Sequence, residues 1–143
     1  MKKLVNGELV DLTPQEITAR EAEEALSNSK QLEKFLPAYR FEREVGGFQV
    51  LGLTIPSDEK TERRIIGARV KAEANPSYVI QDWTTDGGLT STTLTAEMII
   101  AISDAFDAHI QKCFTAMVSV RENISNYTTA EQIKTAFDTA YGG

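Results

Sequence analysis

Eight apolar residues recur at spacings of 3, 4, 4, 3, 4, 3 and 4 along one segment: Ile99, Ile102, Phe106, Ile110, Cys113, Met117, Val120 and Ile124. That rhythm is the helical period. It predicts a helix from Ala96 to about Asn123 with one continuous apolar stripe. Thr95 is placed to cap its first turn. Asp104, Asp107, Gln111 and Lys112 fall away from the stripe. So long a stripe needs other elements to cover it.

Turn and cap signals predict those elements. Thr128-Thr129-Ala130-Glu131 reads as a capping box. The helix behind it carries Ile133, Ala136, Phe137, Ala140 and Tyr141 on one face and stops at Gly142-Gly143. Pro56-Ser57-Asp58-Glu59 opens another helix, with Ser57 as its cap. Its buried side is expected from Ile65, Ile66, Ala68, Val70 and Ala72, and Asn75-Pro76 ends it.

Strands are expected on either side. Tyr39, Phe41, Arg43 and Val45 alternate with Arg40, Glu42 and Glu44, and Gly46-Gly47 turns the chain into Phe48–Ile55. The apolar phase slips at Val50-Leu51, which reads as a bulge near Gly52 or a strand end buried on both sides. A further hairpin pairs Tyr78–Trp83 with Leu89–Leu94 around Thr84–Gly88, its Thr-rich return strand facing solvent or lying at an edge.

The first 37 residues have another texture. Lys3-Leu4-Val5 and Glu8-Leu9-Val10 flank Asn6-Gly7, a type I′ hairpin signal. A lone hairpin is marginal in water, so it is expected to lean on another element or another chain. Thr13, Pro14 and Glu16 then start a helix that could run to Leu36, before Pro37, with a weak point at Ser27-Asn28-Ser29. It is too polar for an ordinary core helix and reads as a solvated arm or as a helix that packs on a partner. The fold class expected is α+β: two hairpins form a small antiparallel sheet packed against long amphipathic helices. Residues 1–37 form the hairpin and polar arm, and residues 38–143 the α+β domain.

Charge and composition exclude several classes. The 143 residues carry 15 basic and 21 acidic side chains, net −6. Residues 1–71 are balanced at 12 and 12, and residues 72–143 hold 3 basic against 9 acidic. A nucleic-acid partner met through a basic face is therefore not expected. The acidity is expected on one face of the core domain. One cysteine, Cys113, allows no internal disulfide. The start Met1-Lys2-Lys3 is followed by no apolar signal-peptide region, and no run approaches the ~20 residues of a membrane span.

No residue set points to catalysis. His109 and Cys113 share a helix face, but a metal site needs more ligands and a nucleophile pair needs an orienting group. Packing is the expected role of both. Asp86-Gly87-Gly88 lacks the pattern of a phosphate loop and reads as a plain turn. Glu42, Glu44, Asp58 and Glu59 read as outward strand positions and helix-start charges rather than an acid–base pair. Arg63, Arg64, Arg69 and Lys71 read as a solvated helix face. Trp83, the sole tryptophan, is expected in the core, with an interface role as the alternative. No cofactor and no metal are expected. Partner-contact candidates are Ile17, Leu26, Leu32, Phe35 and Trp83.

The segment Glu44-Val45-Gly46-Gly47-Phe48-Gln49-Val50-Leu51-Gly52-Leu53-Thr54-Ile55-Pro56-Ser57-Asp58 resembles a domain family of unassigned function found in tailed-bacteriophage and prophage proteins. The likeness continues through Ile66-Gly67-Ala68-Arg69, through Trp83-x-x-Asp86-Gly87, and through Ile99-x-x-Ile102-x-x-Ala105-x-x-x-His109-Ile110-x-x-Cys113-Phe114. It spans roughly residues 38–140. The resemblance implies a tail or tail-fibre assembly protein and brings no catalytic residues. The expectation is a non-enzymatic tail-fibre assembly factor that binds a fibre or other tail protein in the host bacterial cytoplasm, with a possible homo-oligomer. A structural component of the tail tip or fibre base is the alternative, and a hydrolase the least favoured class.

Overall fold

A computed structural model describes residues 2–84 and 88–142, apart from the side chain of Val5. Its architecture is α+β. Strands β1 (Lys2–Val5) and β2 (Glu8–Asp11) lead into helix α1 (Pro14–Val45). Strands β3 (Phe48–Val50) and β4 (Leu53–Ile55) precede helix α2 (Glu59–Ala74). Strands β5 (Val79–Trp83) and β6 (Thr92–Thr95) precede α3 (Ala96–Glu122), and a short 3₁₀ turn (Ile124–Asn126) leads to α4 (Ala130–Tyr141). The three hairpins are separate antiparallel ribbons. The single sheet expected from two of them does not form.

Helix α3 is the axis of the fold. Thr95 caps it by accepting from the Met98 amide, as its sequence predicts. Its stripe is covered by two successive cores. The first gathers Ile55, Ile65, Trp83, Leu94, Ile99, Ile102 and Phe106 from α2, α3 and the two later hairpins. The second gathers Leu32, Leu36, Tyr39, Cys113, Met117, Val120, Ile133 and Phe137 from α1, α3 and α4. His109 lies one helical turn from each, between Phe106 and Cys113.

The largest departure from the sequence reading is α1. The expected strand at Tyr39–Val45 is the last part of that helix, which continues through Pro37. Burial follows Leu32, Leu36 and Tyr39, spaced 4 and 3, whereas the alternating Phe41 and Val45 face outward. Pro37 removes one helical hydrogen bond, but it is exposed, and packing of the flanking turns on α3 and α4 outweighs that loss. The boundary expected between residues 37 and 38 falls inside this continuous helix.

Smaller corrections concern turns and caps. Neither a bulge nor a doubly buried end occurs at Gly52. Leu51 and Gly52 form a two-residue turn with φ of 52° and 75°, pairing Val50 with Leu53. The bulge lies in β5, where Ile80 faces Leu94 and Trp83 faces Thr92, with Asp82 at φ 55° absorbing the extra residue. The turn expected over Thr84–Gly88 lies largely on residues 85–87, outside the described residues, as does most of Asp86-Gly87-Gly88. The cap of α2 is Asp58, not Ser57. The capping box of α4 is shifted by one residue, to Thr129 and Gln132.

Candidate functional site

Two regions could carry function: the N-terminal arm, and a cleft where α1, β3, α3 and α4 meet. The arm comprises β1, β2 and the first half of α1. From Lys2 to Gln31 no described residue is buried. Asn6 and Gly7 make the expected turn at φ 53° and 83°. Lys3 Nζ reaches Glu16 at 2.6 Å and ties the hairpin to the start of α1. Leu4 and Leu9 are cross-strand partners, 70% and 67% exposed, and Leu26 is 58% exposed. Further along, Asn28 Nδ2 donates to the Thr128 carbonyl at 3.0 Å, where the arm meets the body.

The five predicted contact residues therefore separate. Leu26 is exposed and Ile17 is half-buried, both on the arm. Phe35 is half-buried, stacked on Tyr39 with ring centroids 5.8 Å apart. Leu32 and Trp83 are buried in the cores, 6% and 4% exposed. For Trp83 the core expectation holds, with the Arg64 guanidinium 4.4 Å from its ring centroid.

The cleft is built around the end of α1. The last carbonyls of a helix lack intrahelical partners. Here the Glu44 carbonyl accepts two bonds: from the Ser57 hydroxyl at 2.5 Å and from His109 Nε2 at 3.0 Å. Ser57 in turn accepts from the Gly47 amide at 2.8 Å. Gly47 has φ 92°, and a Cβ there would sit 3.1 Å from the Ile55 carbonyl oxygen, so only glycine fits. Because Nε2 faces a carbonyl it must carry the proton. Nδ1 is then the acceptor for the Tyr141 hydroxyl at 2.6 Å. Burial pushes the Tyr141 hydroxyl pKa up, which keeps it a donor. The His109 ring also stacks on Phe48 at 5.2 Å.

Both nitrogens of His109 are thus committed, and neither serves Cys113. The thiol is fully buried, and burial pushes its pKa up, the opposite of an activated nucleophile. Among the described residues no three His, Cys, Asp or Glu side chains gather as a metal site. Glu44 pairs with Arg40 and Glu59 with Arg63, so these carboxylates meet cations rather than each other. The basic residues of α2 are dispersed: Arg69 bridges Glu73 and Asp104, and Lys71 lies 5.8 Å from the Tyr78 ring.

The cleft itself has a volume of about 420 Å³. Arg43 and Lys112 line it with Phe48, His109 and Tyr141. Arg43 lies 5.0 Å and Lys112 5.3 Å from the Tyr141 ring centroid. Arg43 Nε also lies 3.2 Å from Asp138, which accepts from the Tyr39 hydroxyl at 2.8 Å.

Residues 28–141, four-fifths of the chain, match the family described as Domain of unknown function (DUF4376). The chain belongs to this family. No curated protein and no solved structure matches it. The DUF4376 match starts at Asn28, which bonds to the body at Thr128, so both cores and all of the cleft lining but Gly142 lie inside the domain and most of the arm precedes it. No helix among the described residues is long and apolar enough to cross a membrane.

Sequence reasoning singled out His109 but missed its role at the end of α1, and it missed Arg43, Lys112 and Tyr141 as a group. One signal was available: Lys112 is one of only three basic residues after position 71.

Proposed function

We propose that this protein is a non-enzymatic bacteriophage tail protein, an assembly factor for tail fibres, that docks on its partner through the N-terminal arm. The observation that carries this reading is the arm itself. Residues 14–28 make about four helical turns before α1 meets the body. At its far end the arm presents a hairpin whose Leu4–Leu9 pair has no cover. Such a ribbon is marginal alone and gains stability by pairing with another surface. Burying a leucine contributes about 1.5–3 kcal/mol, which is too little from Leu4 and Leu9 alone to offset the cost of association, so a weak, reversible hold also draws on Leu26 and on strand pairing. Reversible cover of apolar surface is what an immature fibre subunit needs before it trimerises. The tail-region context comes from the resemblance along residues 38–140, and the site of action is then the host bacterial cytoplasm during assembly.

Co-expression with the tail-fibre protein of the same virus tests the reading. More soluble trimer is expected with this protein than without it, and equal yields refute the assembly role. Mass spectrometry of purified particles separates a transient factor, absent from virions, from a structural component of the tail tip or fibre base, present in stoichiometric amounts.

A further inference from the structure

The cleft between α1, β3, α3 and α4 gathers more positive charge than its surroundings need. Arg43 and Lys112 both approach the ring of Tyr141, from two different helices. Among the described residues Asp138 is the one carboxylate paired with either cation, and it already accepts from Tyr39. Among the described residues Lys112 has no ion pair, and the Nη groups of Arg43 have no hydrogen-bond partner. The Glu44 carboxylate is spent on Arg40, which itself covers the Phe114 ring at 4.5 Å. The cleft therefore keeps an uncompensated positive charge on a chain whose net charge is −6. Among the described residues Arg64 and Lys71 on α2 also have no ion pair, but each covers a separate ring, Trp83 and Tyr78, whereas Arg43 and Lys112 converge on one.

The walls are held in place. The His109 bonds to Glu44 and Tyr141 join α3 to the ends of α1 and α4, so the ring between the two cations cannot swing freely. Gly47 lets β3 pass close to the Ile55 backbone, which sets the position of Phe48 on the cleft wall. Convergent charged groups in a preformed concavity, with aromatic walls, are the usual elements of a ligand site. A guanidinium fork with free donors is suited to a planar oxyanion, and an ammonium adds a mobile point charge.

We propose that this cleft is an oxyanion-binding site, taking a carboxylate or phosphate group between Arg43 and Lys112. The cleft is larger than a bare oxyanion, so the ligand carries a further body that lies along Phe48 and the small side chain of Ala108. That body is either a free small molecule or the acidic side chain of a peptide. The site is independent of the arm and stands or falls separately from the assembly role.

An NMR titration of the full chain at constant ionic strength tests it, with inorganic phosphate in one arm and acetyl-Glu-Glu-Glu-amide in the other. Saturable shifts are expected at the amides of Gly47, Phe48, Lys112 and Gly142 with at least one probe. Saturation by phosphate assigns a phosphate-bearing small molecule, and saturation by the peptide alone assigns an acidic side chain. Lys112→Gln alters an exposed residue and is expected to weaken binding at least tenfold with the fold intact. Lys60→Gln, an exposed lysine on α2, is expected to bind as the unaltered chain does. Absence of saturation with both probes, or Lys112→Gln binding within twofold of the unaltered chain, overturns the proposal.

Discussion

Ser57 offers a sharp test of how the two cores are joined. Its hydroxyl is buried, with the residue 4% exposed, and it links the Glu44 carbonyl to the Gly47 amide. Ser57→Ala leaves no cavity but strips the Gly47 N–H of its partner. A buried donor left unpaired costs about 1–3 kcal/mol. The Glu44 carbonyl adds little, because His109 still donates to it. The expected loss is about 2 kcal/mol, or roughly 6–8 °C in Tm for a chain of this length. Urea denaturation followed by circular dichroism reads the first quantity and a thermal scan the second. Ser57→Asn then separates two roles. At a helix cap, asparagine replaces serine at almost no cost. In the observed linking role there is no room for it, so it is expected to cost at least as much as alanine. An Asn variant as stable as the unaltered chain, or an Ala variant losing under about 0.5 kcal/mol, would refute the reasoning.

Three further outcomes are expected. Leu36 lies in the second core, whereas Leu26 is exposed on the same helix. Leu36→Ala should therefore lose about 2–5 kcal/mol. Leu26→Ala should change stability by about 0.5 kcal/mol at most. Equal losses in urea melts would show that the arm is packed. Leu51 holds φ 52° in its two-residue turn. Asparagine is at ease there, so Leu51→Asn should gain about 1 kcal/mol. A loss on thermal melting would count against that turn. Burial and the Asp138 carboxylate push the Tyr39 hydroxyl up to about 12. The unfolded chain, with an ordinary tyrosine, gives up its proton first. The stability that Tyr39 contributes is therefore full below about pH 10 and falls as pH rises from 10 towards 12. Tyr39→Phe should flatten that decline, leaving the parts due to Tyr141 and the Cys113 thiol, and an unchanged slope in alkaline melts would exclude the Tyr39 contribution.

What could be read from the residues depended on the length of each pattern. Helix α3 was legible to within a residue because its stripe repeats over many turns and Thr95 marks its start. Segment 39–45 was not, because seven residues make barely two helical turns and an alternation this short is not diagnostic. Tyr39 suits both, and only packing against α3 and α4 decides that Phe41 and Val45 face outward. Pro37 misled for a related reason: it is a boundary signal that tertiary contacts override. Ser57 looked like a cap because it precedes acids at a helix start, and its buried linking role depends on Glu44 and Gly47, fixed by the α1–β3 turn. The cleft was illegible for the same cause. Arg43, His109, Lys112 and Tyr141 come together only once α1 is known to run to Val45. Of the proposed contact residues, Leu26 and Leu32 looked alike in a sparse polar helix, and the second core divides them.

The arm, not the body, is proposed to grip the partner. The measurement that tests it most directly is the yield of soluble fibre trimer on co-expression with the full chain or with a Leu4→Ser, Leu9→Ser, Leu26→Ser variant. All three leucines are exposed, so the DUF4376 body should keep its melting temperature. The expected result is that the unaltered chain raises the yield and the variant does not. A variant that folds normally and raises the yield as well as the unaltered chain would contradict the claim.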